Sequence, residues 1–261
     1  GGAQIAVSIS QSITVLYFNT TWAGELGFDA RPLTSGALEK MACAAAESNL
    51  EDDLKENDGS GGLVLYPGAT NIMSWLYAYG EDGLSPDGRS YRFSSPSARS
   101  AAEFLRGLWV KGCAFETDSY PNDEFAARRA LFTMRSSADL SYQQAAFEKD
   151  EAYSDAWELI PFPGPNGEKA VTALGQTVGI VNASAEEELA AWLFLKYLLS
   201  SPVQAQWVEA SGYYPVRRSA VMHLTEYRQE NPQWTSGLEL LLSARSEPVL
   251  PSWGTVRWAL F

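Results

Sequence analysis

The residues of this sequence that could carry out chemistry are few and scattered. His223, the one histidine, stands in Val221-Met222-His223-Leu224. A serine-histidine-acid relay would have to be built on it, without the Gly-x-Ser-x-Gly elbow that presents a nucleophile in many hydrolases. A surface or helix-packing role accounts for it. Cys43 and Cys113 lie about 70 residues apart, which excludes a CxxC redox or zinc motif. Two readings of the pair stay open. A bridge would tie two helix ends and stabilise by roughly 4 kcal/mol in the chain-entropy model, whereas two buried free thiols would contribute nothing of the kind. Glu51-Asp52-Asp53 lacks the glycine and terminal glutamate of a calcium loop and reads as a solvated charge run. Asp58-Gly59-Ser60-Gly61-Gly62 precedes a strand and is not followed by Lys-Ser/Thr, so it does not fit a phosphate cradle. Asp139, Glu148, Asp150 and Glu158 could supply the acid and nucleophile of a glycoside hydrolase, but no motif joins them. No metal, cofactor or catalytic residue is expected.

What the sequence holds in quantity is aromatic surface: nine Trp, twelve Tyr and eleven Phe. Flat rings stack on the apolar C–H faces of sugars while polar side chains take the hydroxyls, so a saccharide cleft needs both kinds together. A plain core uses the same rings. The 261 residues are 46% apolar, enough for one large or two smaller domains with a real core. Lys and Arg are outnumbered 19 to 32, for a net charge of −13. That balance argues against nucleic acid, which needs a basic face. No apolar run reaches the roughly 18 residues of a membrane helix, and Trp192–Leu199 reads as a buried helix.

The elements that must position these groups follow from periodicity and punctuation. Strands are expected near Gln4–Ile9, Val15–Asn19, Gly62–Tyr66, Trp157–Ile160 and Thr177–Val181. Helices are expected at Leu33–Ser48, Asn71–Tyr79, Ser97–Lys111, Asp123–Ala130 and Ala138–Lys149. Asp82-Gly83, Asp87-Gly88 and Asn166-Gly167 mark turns. The sharpest stretch is Ala183–Ala220. Ser184 with Glu187 makes a capping box, and Glu186, Glu187 and Glu188 suit the positive end of a helix dipole. Leu189, Trp192, Leu193, Lys196 and Tyr197 then recur at helical spacing, which predicts a helix docked against a core. Ser201-Pro202 restarts a second helix that Gly212 closes.

This stretch resembles the extracellular solute-binding proteins of ABC importers that carry carbohydrates. In that family an Ala- and Trp-rich helix, a Ser-Pro or Thr-Pro break, a Gln- and Ala-rich helix and a Gly-Tyr-x-Pro-Val-Arg turn follow one another. Here they read Ala190-Ala191-Trp192, Ser200-Ser201-Pro202, Gln204-Ala205-Gln206 and Gly212-Tyr213-Tyr214-Pro215-Val216-Arg217. Upstream, Val15-Leu16-Tyr17-Phe18-Asn19 with Trp22 and Gly27 looks like the family's passage from crossover strand to helix, and Leu33–Ala45 takes the place of its next helix. The Leu-Thr-Ser-Gly-Ala-Leu start of that helix departs from the usual Thr-Trp-Asp-Glu. Residues 127–137 resemble the turn and strand that lead to the cleft, Ile160–Gly164 a Pro-Gly-rich strand exit, and Gly175–Ile180 a Gly-rich strand start facing the ligand.

The resemblance implies an α/β fold with many helices, of the type II periplasmic-binding-protein kind, here mainly the C-terminal lobe with crossover strands. Residues 1–19 would be a crossover strand and part of the N-terminal lobe, 20–215 the C-terminal lobe, and 216–261 a return segment toward the hinge. Both ends look cut: Gly1-Gly2 opens almost directly on the crossover strand, and Val256–Phe261 reads as an interrupted helix. The implied ligand contacts are Tyr66 and Trp75, Arg135, Ser136 and Ser137, Gly175 and Gln176, Tyr213 and Tyr214, and Trp253. Core, cap or hinge packing competes at each of them; Ser136 or Ser137, for example, would also cap a helix. The implied function is reversible capture of a sugar or oligosaccharide outside the cytoplasm, in the periplasm or as a cell-surface lipoprotein, by a monomer whose closed form is recognised by a membrane permease. A sensor domain of a signalling system and, further off, a glycoside hydrolase are the alternatives.

Overall fold

The computed structural model describes residues 6–149 and 153–260. The predicted strand start at Gln4, the carboxylate Asp150 and the terminal Phe261 lie outside the described residues.

A mixed sheet carries the fold, and its centre is one long strand. β1 (Val7–Asn19) joins the Val7–Ile9 end of the first expected strand to the expected Val15–Asn19 in one strand. The polar Ser10, Ser12 and Thr14 between them are all buried in the ladder with β8. Helix α1 (Thr20–Glu25) follows at once, capped by the Asn19 side chain, which accepts from Trp22 N at 2.9 Å. Then come α2 (Ser35–Glu51), β2 (Gly61–Leu65), α3 (Ala69–Ala78), α4 (Pro96–Val110), β3 (Ala114–Glu116), α5 (Asn122–Ala126), β4 (Ala130–Ser136) and α6 (Leu140–Lys149). The second part holds β5 (Trp157–Ile160), β6 (Phe162–Pro163), β7 (Lys169–Ala170), β8 (Thr172–Val178), α7 (Ala185–Leu198), α8 (Ser201–Ser211), α9 (Thr225–Glu230), α10 (Pro232–Leu241), β9 (Arg245–Ser246) and α11 (Trp253–Ala259).

The sheet order is β3-β2-β4-β1-β8-β9, with β5 also on β1. β2, β3 and β4 are mutually parallel, and β1 is antiparallel to β4, β5 and β8. The register sets the shape. Thr14 of β1 faces Ser136 at the end of β4, so the Val7–Ile13 half of β1 runs past the ends of the parallel strands, with β8 as its strand partner and one bridge from Gln11 to Tyr214. It leaves the body as a two-stranded ribbon.

Alternation along β1 then divides two cores between the two faces. Leu16 and Phe18 pack with Leu38, Leu63, Trp75, Phe132 and Met134 under α2, α3 and α4. Ile13, Val15 and Tyr17 pack with Phe125, Trp157, Val208 and Trp234 under α5, α8 and α10.

Three local expectations change. The helix expected at Asp123–Ala130 stops at Ala126, because Arg128 adopts the left-handed region at φ 54° and turns the chain into β4. Its guanidinium is held by Asp155 at 2.8 and 2.7 Å and by Glu25 at 2.5 and 2.9 Å, which fixes that turn. The strand expected at Thr177–Val181 is instead Thr172–Val178, placed by its pairing with β1. Finally, α7 has the predicted capping box and boundaries, but it is not docked and Trp192–Leu199 is not a buried helix. Leu195 alone is buried on α7, while Leu189, Trp192, Leu193, Phe194 and Tyr197 are 52–62% exposed. Periodicity specifies an apolar stripe, not the presence of a surface to cover it.

Cys43 on α2 and Cys113 before β3 are joined by a disulfide with Cα atoms 4.5 Å apart. Gly62 passes so close beneath that a Cβ there would collide with the Cys113 carbonyl.

Candidate functional site

The parallel strands deliver their following loops to one rim. Tyr66 follows β2, Thr117–Tyr120 follows β3, and Ser136–Asp139 follows β4, so all stand at carboxyl ends, where open α/β sheets characteristically bind ligands. The β1/β8 ribbon rises beside them. At this rim is a cavity of about 530 Å³ lined by Tyr120, Asn122, Arg135, Asp139, Tyr142 and Lys149.

Arg135 is its centre. The β4 alternation that buries Leu131 and Thr133 places Arg135 last on the same face, with its side chain only 4% exposed. Its Nη2 pairs with Asp139 Oδ2 at 2.6 Å. The guanidinium also lies 5.3 Å from the Tyr66 ring and 4.9 Å from the Tyr120 ring. The two rings meet at 5.9 Å, so the cation is gripped by aromatic faces and one carboxylate. Burial pushes the Asp139 carboxyl above its ordinary range, against the opposing pull of Arg135. Tyr120, beside the guanidinium, and Tyr142 stand 67% and 69% exposed at the mouth. Behind them Gln143 is wholly buried and exchanges hydrogen bonds with Asn122, donating to its carbonyl at 3.0 Å, which fixes α6 against α5.

Several expected contacts gather here. Tyr66 and Arg135 do so, and Ser136 borders them while its Oγ accepts from Ala138 N at 3.2 Å as a cap. Gly175 and Gln176 stand exposed on the ribbon opposite Gln11 and Ser10, with Ser10 Oγ donating to Gln176 Oε1 at 3.3 Å. Gly175 lets the strands close: a Cβ there would sit 3.0 Å from the Ser10 carbonyl. Tyr213 is half-buried beside them.

Four others are core residues. Trp75 is 1% exposed and its indole donates toward Met134 Sδ at 3.2 Å, because α3 is buried on nearly every side. Ser137 is fully buried and accepts from Ile13 N at 3.0 Å. Tyr214 is fully buried against Trp234, and its backbone pairs with Gln11 in both directions at 3.0 and 2.7 Å. Trp253 is 8% exposed, packs on Tyr91 and Phe93, and donates to Glu247 Oε2 at 2.7 Å.

Tyr120, Tyr142 and Asp139 line the cavity without having been expected there as ligand contacts. For Tyr120 a signal existed: Tyr-Pro occurs at Tyr66-Pro67 and again at Tyr120-Pro121, each just after a strand. Among the described residues, the three candidate carboxylates Asp139, Glu148 and Glu158 each have a different partner. Asp139 is paired with Arg135, Glu148 accepts from Gln144 on α6, and Glu158 on β5 faces Arg31 at 3.9 Å. His223 is exposed in a short 3₁₀ turn.

Known structures share this architecture. The cyclic α-maltosyl-1,6-maltose binding protein of Arthrobacter globiformis aligns with a TM-score of 0.78 at 22% identity, over 99% of this chain and 65% of its own. UgpB of Mycobacterium tuberculosis, solved with glycerophosphocholine, aligns at 0.81 and 18% identity, over 100% and 65%. Maltose-bound MalE3 of T. maritima aligns at 0.76 and 21% identity, over 97% and 64%. The chain thus spans about two thirds of the length of these structures. No curated protein matches it by sequence. A family profile described as bacterial extracellular solute-binding protein matches residues 2–235, nine tenths of the chain, and the chain belongs to that family.

Proposed function

We propose that this chain forms one wall of a cleft that captures a sugar or oligosaccharide outside the cytoplasm for an ABC importer. Capture is reversible, breaks no bond, and presents the closed form to a membrane permease. The observation that carries the reading is the rim cavity, where exposed tyrosine faces stand beside a buried guanidinium–carboxylate pair. Rings for C–H faces and paired polar groups for hydroxyls are what a saccharide requires. The likeness to structures solved with maltose and cyclic maltosyl-maltose supports the same ligand class.

Tyr66, Tyr120, Arg135, Ser136, Asp139 and Tyr142 would make this lobe's contacts, with Gly175, Gln176 and Tyr213 facing the solute from the ribbon. The β1/β8 ribbon would be the crossover between lobes. The exposed stripe of α7 supports a boundary near Val178 rather than at residue 215, with α7 as the seat of the other lobe and α8 packed through Ala205 and Val208 into the core beside β1.

Saturation-transfer NMR of the chain with maltose, maltotriose and cellobiose tests the reading, since the method detects the weak binding expected of half a cleft. Saturable transfer from at least one sugar, lost in Tyr120→Ala, is expected. Absence of transfer from the whole panel, or release of reducing ends from any member, overturns it.

A further inference from the structure

Resting on the solute-capture reading, we infer that this site selects uncharged, hydroxyl-bearing solutes and turns away phosphate-bearing ones. The charges that line the cavity are already matched. Arg135, its deepest cation, is paired with Asp139 at 2.6 Å, and its faces are covered by Tyr66 and Tyr120. Lys149, at the mouth and 76% exposed, faces Asp123 at 3.3 Å. Among the described residues that line the cavity, both cations therefore already face a carboxylate. A phosphate dianion finds the Asp139 and Asp123 carboxylates on the cavity lining instead, in a chain of net charge −13. At the β4–α6 turn the Ala138 amide is likewise engaged, donating to Ser136 Oγ at 3.2 Å.

What remains open suits a hydroxyl pair. Arg135 Nε is buried without a hydrogen-bond partner among the described residues, and it belongs to a side chain that lines the cavity. Asp139 is 24% exposed toward the same space and accepts only. A hydroxyl both donates and accepts, so two neighbouring hydroxyls can accept from the guanidinium and donate to the carboxylate at once. A phosphate dianion can only accept and is repelled by the second partner.

The test is a matched panel by saturation-transfer NMR: maltose, glucose and glycerol, each against its phosphorylated counterpart. The wild-type chain is expected to bind a neutral member at least about tenfold more tightly than its phosphorylated partner, the equivalent of one pairwise mismatch of about 1.4 kcal/mol. Asp139→Asn releases Arg135 and is expected to reverse that order. Asp123→Asn changes an exposed residue, frees Lys149 without disturbing the core, and is expected to raise phosphate binding by a smaller factor. A wild-type preference for the phosphorylated member overturns the inference and leaves solute capture standing. An unchanged order in both variants overturns the assignment to charge matching. No binding by either class overturns solute capture itself.

Discussion

Strand β1 and helix α7 are both rich in large apolar side chains, and they dispose of them in opposite ways. From Ile13 to Asn19, β1 is buried at every residue, laddered on both edges, with a hydrophobic cluster against each face. α7 is the better-specified element locally. Ser184 accepts from Glu187 N at 3.3 Å, the Glu187 carboxylate accepts from Ser184 N at 3.0 Å, three acids occupy the first turn and Lys196 the last. Yet five of its large side chains lie open to solvent. Helix formation and burial are thus separate outcomes: caps and propensity fix the first, and only a partner surface supplies the second. Exposed apolar clusters of this kind are what protein–protein contacts use.

The largest test of this contrast deletes one tryptophan from each environment. Trp75→Ala empties a site that touches Phe104, Phe162 and Met134, and is expected to cost up to about 5 kcal/mol. Trp192→Ala, on the open face of α7, is expected to shift stability by less than about 0.5 kcal/mol in this chain. Urea midpoints compare them directly. Equal losses would mean that α7 is covered in solution, and the contrast would fall.

Next in size is the disulfide. Cys43–Cys113 closes a loop of 70 residues between α2 and the approach to β3, inside the β1-centred core region and far in sequence from α7. Replacing both by serine is expected to lower stability by about 4 kcal/mol in the chain-entropy model. Amide exchange should quicken across α2, β2 and β3 while α7 is unaffected. A uniform change that includes α7 would show one cooperative unit where two are argued.

These effects also mark what could be read in advance. The ends of α7 and α8 were legible because Ser184, Ser201-Pro202 and Gly212 act within a few residues of themselves, and Gly212 does take the left-handed φ of 71°. The continuity of β1 was not, since Ser10, Ser12 and Thr14 are polar and only the ladders from β8 and β4 explain their burial. At the rim, Arg135 and Tyr66 stand together because each lies at the end of its strand. Trp75 and Tyr214 are buried, which sequence could not decide, because an aromatic beside a loop has the same appearance whether it faces inward or outward. Asp139 entered as a candidate acid, and its real partner, four residues back on β4, is set by a strand-to-helix turn that periodicity does not describe.

The stripe on α7 gives a third test. Trp192→Ser with Phe194→Ser removes two large exposed side chains while keeping the capping box. Folding stability should be unchanged, and any concentration-dependent sedimentation of the wild-type chain should be reduced or lost. Sedimentation that depends on concentration equally in both proteins would place the adhesive surface elsewhere.

The smallest effect isolates the local half of the contrast. The Ser184 hydroxyl, and after it the Ser184 amide, donates to the Glu187 carboxylate and holds its pKa below the ordinary 4.5. A carboxyl depressed by folding contributes stability that is present above its unfolded value and lost as pH falls through the folded one. The first turn of α7 should therefore be protected at pH 7 and should loosen once the pH drops below that depressed value. Glu187→Gln should reduce amide protection there at pH 7, and the difference should shrink as the pH falls through the depressed value and wild type becomes protonated too. The change is small, for the group is wholly solvent-exposed and its interactions are screened. Protection that differs between the two proteins by as much at pH 2 as at pH 7 would show that α7 is held by packing rather than by its own cap.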